Sequence, residues 1–185
     1  SDINAESVGA PKAILLEGYV WDLPEGPALT QKAMEIAAKN GTAVVLSLSD
    51  SFCVDRHRDS FAAAIRDSVN IVVADEDEVA ALLQTESFEE TLRALEGYDN
   101  LFAITRSEKG SVIVHGDERI VQPANAIDDV IDTTGAGDAY SAGFLYGWVN
   151  DYPLAECAKI GTFCGATVIQ QIGGRIEPGL LDNYS

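Results

Sequence analysis

Thr42-Ala43-Val44-Val45-Leu46-Ser47-Leu48-Ser49 is a β-branched, almost wholly apolar run, which predicts a strand buried on both faces. On its N-terminal side, Ala28–Lys39 carries apolar residues at helical spacing (Leu29, Ala33, Ile36, Ala37) and is stopped by Asn40-Gly41. Before that, Ala13–Val20 is a second apolar run and predicts another strand. On the C-terminal side follow a helix over Asp55–Ser68, a strand over Asn70–Ala74, and helices over Glu76–Leu83 and Phe88–Leu95. Strands that alternate with helices, and that lack an apolar/polar alternation, imply crossover connections and a mainly parallel sheet covered on both faces. The expected fold class is an α/β three-layer α/β/α sandwich.

The pattern changes further along. Leu101–Thr105 reads as a strand, and Ser111–His115 and Arg119–Val121 flank Gly116-Asp117-Glu118, a hairpin turn. After Asp132–Gly137 come two helical stretches, Asp138–Val149 and Leu154–Gln170, with no strand between them. No internal repeat, low-complexity tract or long linker interrupts the 185 residues, so one domain is expected over 1–185.

Composition narrows the function classes. Apolar residues make up 46% and charged residues 23%, a globular balance. No apolar stretch reaches the roughly 18–20 residues of a membrane span, and Ser1–Ala10 has no basic cluster leading into an apolar run. Asp and Glu outnumber Lys and Arg 30 to 12, for a formal charge of −18. Such a surface repels nucleic-acid backbones and anionic lipid, so neither is an expected partner. An anionic substrate then needs a strong local site. Cys53, Cys157 and Cys164 form no C-x-x-C pair, and Cys157 and Cys164, seven apart, read as core thiols on one helix face. His57, in Asp55-Arg56-His57-Arg58-Asp59, reads as part of a solvated helix start, and neither it nor His115 is expected to hold zinc. A reducing cytoplasm fits this cysteine usage.

Asp132-Thr133-Thr134-Gly135-Ala136-Gly137-Asp138 carries the chemistry. Glycines let backbone N–H groups converge, and the helix that follows aims its unpaired N–H groups and positive dipole end at the same point. That is an anion hole suited to a transferring phosphoryl group. Asp138, in the first turn, is placed to accept a proton from an attacking hydroxyl. A dinucleotide oxidoreductase is disfavoured because Tyr140 stands at the third small-residue position. No Gly-Lys-Ser/Thr marks a Walker NTPase, and no histidine follows Ser141 to complete a hydrolase triad in the usual order.

The seven-residue run resembles the C-terminal signature of the ribokinase-like (PfkB) carbohydrate and nucleoside kinases. Other positions agree in the order this resemblance implies. Asp75-Glu76-Asp77-Glu78 falls where these kinases carry Asn-x-x-Glu, with Asp75 in place of Asn and implied to face the nucleotide's phosphates or metal-bound waters, and Glu78 implied to organise Mg2+ through water. Thr105-Arg106-Ser107-Glu108-Lys109-Gly110 is similar to their Thr-x-Gly-x-x-Gly segment, implying nucleotide contacts at Thr105, Arg106, Ser107 and Gly110, with Ser107 in place of a frequent Gly. Ala158–Ile169 (with Thr162) and Gly173-Gly174 look like the helix and loop that border the adenine. Asp132 and Thr134 match positions that hold a monovalent cation such as K+ in some members. Glu17-Gly18-Tyr19-Val20-Trp21-Asp22 and Leu46–Cys53 look most like the adenosine-kinase branch.

The resemblance covers Ala13 to about Gly174 and implies that an N-terminal part with a β lid is absent, leaving a sheet edge to be covered. The implied function is transfer of the ATP γ-phosphoryl to a primary hydroxyl of a nucleoside, adenosine favoured, or of a sugar. Asp138 is the implied base, and Gly135, Ala136 and Gly137 the anion hole. The alternative is a non-catalytic nucleotide-binding or assembly fragment of such a kinase. A homodimer is left open.

Overall fold

The computed structural model describes residues 3–4 and 9–183, so most of the Ser1–Ala10 reading falls outside the described residues. Strands β1 (Ala13–Glu17), β2 (Ala43–Ser47), β3 (Ile71–Asp75), β4 (Leu101–Thr105), β5 (Ser111–His115) and β6 (Glu118–Gln122) form one sheet in that order. Helices α1 (Gly26–Asn40), α2 (Ser51–Asp67), α3 (Glu76–Leu83), α4 (Phe88–Ala94), α5 (Ala136–Val149) and α6 (Leu154–Val168) complete the fold. Among the described residues no helix is long and apolar enough to cross a membrane.

The chain divides into two compact units. The first spans 1–105 with 113–119, the second 106–112 with 120–185. In the first, β1 to β4 are all parallel, with Val45 beside Ile71 and Ile71 beside Leu101 across three strands. Val45, Leu46, Val72, Phe102, Ala103 and Ile104 are essentially inaccessible, as the unbroken apolar runs require. Parallel strands send their functional loops out at their carboxyl ends, and here Gly18–Asp22, Ser49-Asp50 and Asp75–Glu78 all leave from that end.

Two elements differ most from the sequence expectation. β1 stops at Glu17, not Val20, because the chain turns into a 3₁₀ turn (Gly18–Asp22) that buries Trp21 edge-on against Phe61 of α2, ring centroids 5.1 Å apart. Gly18 permits that turn, since a Cβ there would sit 2.6 Å from the Leu48 carbonyl oxygen. Helix α2 begins at Ser51, four residues earlier than expected, because the Asp50 carboxylate accepts the Cys53 N–H as an N-cap. His57 is therefore a mid-helix residue, not a solvated start, and it breaks the helical dihedrals locally (φ −123°, ψ 16°).

In the second unit α5 packs along α6 on small residues. A Cβ at Gly143 would lie 2.8 Å from both the Cys164 Sγ and the Ile160 carbonyl oxygen, and 3.0 Å from the Gly161 Cα. Ala139, Ile160, Cys164 and Val168 form the buried seam. Cys157 and Cys164 are free and buried there, as expected of core thiols. Gly143→Ala is expected to lower stability by about 1–3 kcal/mol in urea unfolding despite alanine's higher helix propensity. Gly165→Ala is expected to be neutral or slightly stabilising, because its nearest new contact is an ordinary 3.5 Å.

Candidate active site

Three helices of the first unit open on side-chain caps: Asp50 for α2, Asp75 for α3 and Ser87 for α4. Helix α5 of the second unit does not. Its N-cap is Gly135, in the left-handed region at φ +76°, with no side-chain cap hydrogen bond. A Cβ at Gly135 would stand 2.7 Å from the Gly174 Cα, so both the dihedral and the close loop contact require glycine. The helix starts at Ala136, so Asp138 is its third residue, two positions further in than the sequence suggested.

The amides divide unequally. The Ala136 N–H donates to the Thr133 carbonyl at 3.1 Å, so it closes the turn and is not part of an anion hole, contrary to the sequence expectation. Among the described residues the N–H groups of Gly135, Gly137 and Asp138 meet no protein acceptor. The Asp138 side chain is exposed and among the described residues joins no ion pair. One helical turn thus offers free donors, the positive end of a helix dipole and a free carboxylate. Ser141 donates its hydroxyl to the Gly137 carbonyl at 2.8 Å, the structural role of a small helix residue.

Asp132 holds this turn in place. Its Oδ1 accepts the Thr134 N–H and its Oδ2 the Gly173 N–H, both at 2.9 Å, clasping the 132–134 segment to the loop after α6. These bonds, the Gly173 amide first, hold its carboxyl below the ordinary range. Thr162, on α6, is buried, and among the described residues its hydroxyl meets no partner.

Ser107–Lys109 is a 3₁₀ turn, flanked by Arg106, whose N–H donates to the Gly110 carbonyl at 2.8 Å. Ser107 lies at φ +49°, so its replacement of glycine places an L side chain in the left-handed region. Gly110, at φ +86°, has no room for a side chain, since a Cβ would be 2.0 Å from the Gln122 carbonyl oxygen.

In the first unit, Thr105 ends β4 with its hydroxyl 3.5 Å from the Ala74 carbonyl. Asp75 and Glu78 form a reciprocal capping box: Asp75 Oδ1 accepts the Glu78 N–H at 2.8 Å and Glu78 Oε2 accepts the Asp75 N–H at 2.9 Å. Asp75 is thus committed to the helix terminus. Glu78 is only 8% exposed, while Asp75 and Asp77 on the same helix start are exposed. Burial, then the Asp75 charge, pushes its carboxyl from 4.5 up to about 7. No basic side chain pairs with it among the described residues.

The first turn of α5 thus presents a left-handed glycine N-cap, free amides and an acid together. Residues 1–178 match the pfkB family carbohydrate kinase model, and the chain belongs to that family. It is similar to an adenosine kinase from Sinorhizobium meliloti, at 42% identity and a TM-score of 0.91, covering 95% of this chain and 54% of that one. It is as similar to a probable sugar kinase protein from Rhizobium etli, at 41% identity and 0.93, covering 98% and 55%. A nucleoside kinase from Methanocaldococcus jannaschii is 43% identical over 79 residues, 43% of this chain and 26% of that protein. The three-layer α/β/α ribokinase-like fold is thereby established, and the chain spans about half the length of the two solved structures.

Two outcomes are expected. Ser107→Gly should raise stability by about 1 kcal/mol in chemical denaturation by relieving the left-handed serine. For Glu78, the folded-state value lies above the unfolded one, so the native state binds the extra proton between about pH 4.5 and 7. Stability should therefore fall as pH rises through that window, by up to about 3 kcal/mol. Glu78→Gln, which can still accept the Asp75 N–H, should flatten the profile and be the more stable form at pH 8; a wild-type slope retained in the variant would remove Glu78 as its source.

Proposed function

We propose that the whole protein moves the γ-phosphoryl group of ATP to a primary hydroxyl of a nucleoside, adenosine favoured, or of a sugar. The observation that carries this reading is the uncapped start of α5, where the free amides of Gly135, Gly137 and Asp138 share a turn with the unpaired Asp138 carboxylate. On a chain of formal charge −18, a concentration of uncommitted donors is best explained by an anion that comes and goes.

In this mechanism the Gly135 and Gly137 amides donate to phosphoryl oxygens and gain strength as negative charge develops there. Asp138 accepts the proton of the attacking hydroxyl. Gly173 is kept close by the Asp132 clasp, and Thr105, Arg106, Ser107, Gly110 and Thr162 line the nucleotide. Magnesium, when bound, supplies neutralisation of phosphate charge. Glu78 fits holding it through water, being a buried acid without a cationic partner. Asp75 serves as the cap of α3 and not as a second metal acid. Asp132 and Thr134 remain the proposed holders of a monovalent cation, through oxygen lone pairs left after the two amide bonds.

The Glu17–Asp22 and Leu46–Cys53 segments favour adenosine, while the near-equal likeness to an adenosine kinase and a sugar kinase keeps a sugar acceptor in the test. The full-length protein is to be assayed with ATP against adenosine and a panel of sugars. Asp138→Asn should lower turnover about 10²–10⁴-fold while ATP affinity stays within a few-fold. Wild-type turnover in that variant would remove Asp138 from the mechanism, and absence of transfer to every acceptor would favour the non-catalytic reading.

A further inference from the structure

At the carboxyl ends of β1 and β2, on the first unit, lies a cluster that the phosphotransfer chemistry does not use. Asp22 closes the 3₁₀ turn after β1, and Cys53 and His57 stand four apart on α2, hence on one helical face. One ligand atom from each of the three lies within 4.8 Å of the other two. The His57 Nε2 is 2.7 Å from Asp22 Oδ1, and the broken helical dihedrals at His57 accompany that approach.

We propose that Asp22, Cys53 and His57 form a binding site for a borderline-soft divalent cation, zinc above all, that clips the turn after β1 to helix α2. A sulfur, an imidazole nitrogen and one carboxylate oxygen make a zinc donor set with a fourth position left to water. Magnesium and calcium, which take oxygen ligands, are poor occupants. Zinc bonds of about 2.0–2.3 Å set tetrahedral donors roughly 3.3–3.8 Å apart. The 4.8 Å envelope accommodates that spacing once the Asp22–His57 contact opens by roughly half an ångström.

Arg56 assists. Its Nη2 holds Asp22 Oδ2 at 2.6 Å, orienting the carboxylate, while the 3.0 Å contact of its Nε to Oδ1 is the one an ion replaces. On binding, a metal–sulfur bond forms and the Cys53 thiol proton leaves to solvent. Without the ion, burial pushes that thiol up to about 11, so Cys53 stays protonated and is not a nucleophile.

Tag-free full-length protein is to be titrated with Co2+ and then Zn2+. One Co2+ per chain with a thiolate-to-cobalt absorption band, displaced by one Zn2+ and unaffected by excess Mg2+, is expected. Cys53→Ser should abolish the band and weaken Zn2+ binding at least about 10-fold, and Asp22→Asn, a surface change that spares the core, should weaken it by a similar factor. The Cys157→Ser/Cys164→Ser double variant should retain the band. No band at stoichiometric Co2+, or Zn2+ affinity unchanged in both Cys53→Ser and Asp22→Asn, would overturn the site. Metal binding is read directly, so this result is independent of whether the protein transfers phosphoryl groups.

Discussion

An α-helix cannot pair the N–H groups of its first turn within itself, and what a protein does about that decides how the helix is used. Helices α2, α3 and α4 answer with Asp50, Asp75 and Ser87. Helix α5 answers with a glycine that has nothing to offer, pressed so closely on Gly174 that no larger residue fits. The clasp from Asp132 to Thr134 and Gly173 then fixes the loop on either side. Open amides are an unfavourable state for a helix alone, and this unit is arranged to keep them open.

A second unfavourable feature lies in the first unit. Glu78 is buried beside the acid that caps its own helix, with burial and that charge both opposing ionisation. An apolar residue there would be more comfortable, and the Asp75–Glu78 box alone does not demand a carboxylate over an amide. Acids held near neutrality are expected where a cation or a proton is handled. Each unit thus carries one locally destabilised feature, open amides in the second and a buried acid in the first.

Much of this was legible before any coordinates. The apolar runs at β2, β3 and β4 announced a parallel sheet because strands buried on both faces need no alternation, and β4 and β5 begin and end where the pattern placed them. The limits of β1 were not legible, because they follow from Trp21 packing on Phe61, a contact far apart in sequence. The early start of α2 was signalled by Asp50, whose capping value is visible only once Cys53 is known to begin a turn. Within the anion-binding run, spacing located the helix start but could not assign each amide, so Ala136 was miscounted: its N–H belongs to Thr133. Ser107 stands where the related segment often has glycine, and only its positive φ reveals the strain. Cys53 and His57 carried a readable signal at i, i+4 that remained mute without Asp22, which arrives from another element.

The central claim is that the first turn of α5 donates to phosphate. Amide resonances of the full-length protein, followed by ¹⁵N-correlated NMR during titration with Mg·ATP, test it directly. The Gly135, Gly137 and Asp138 N–H signals should move downfield and saturate together while Ala136, already bonded to Thr133, shifts far less. Nucleotide binding that leaves those three signals where they are would contradict the account.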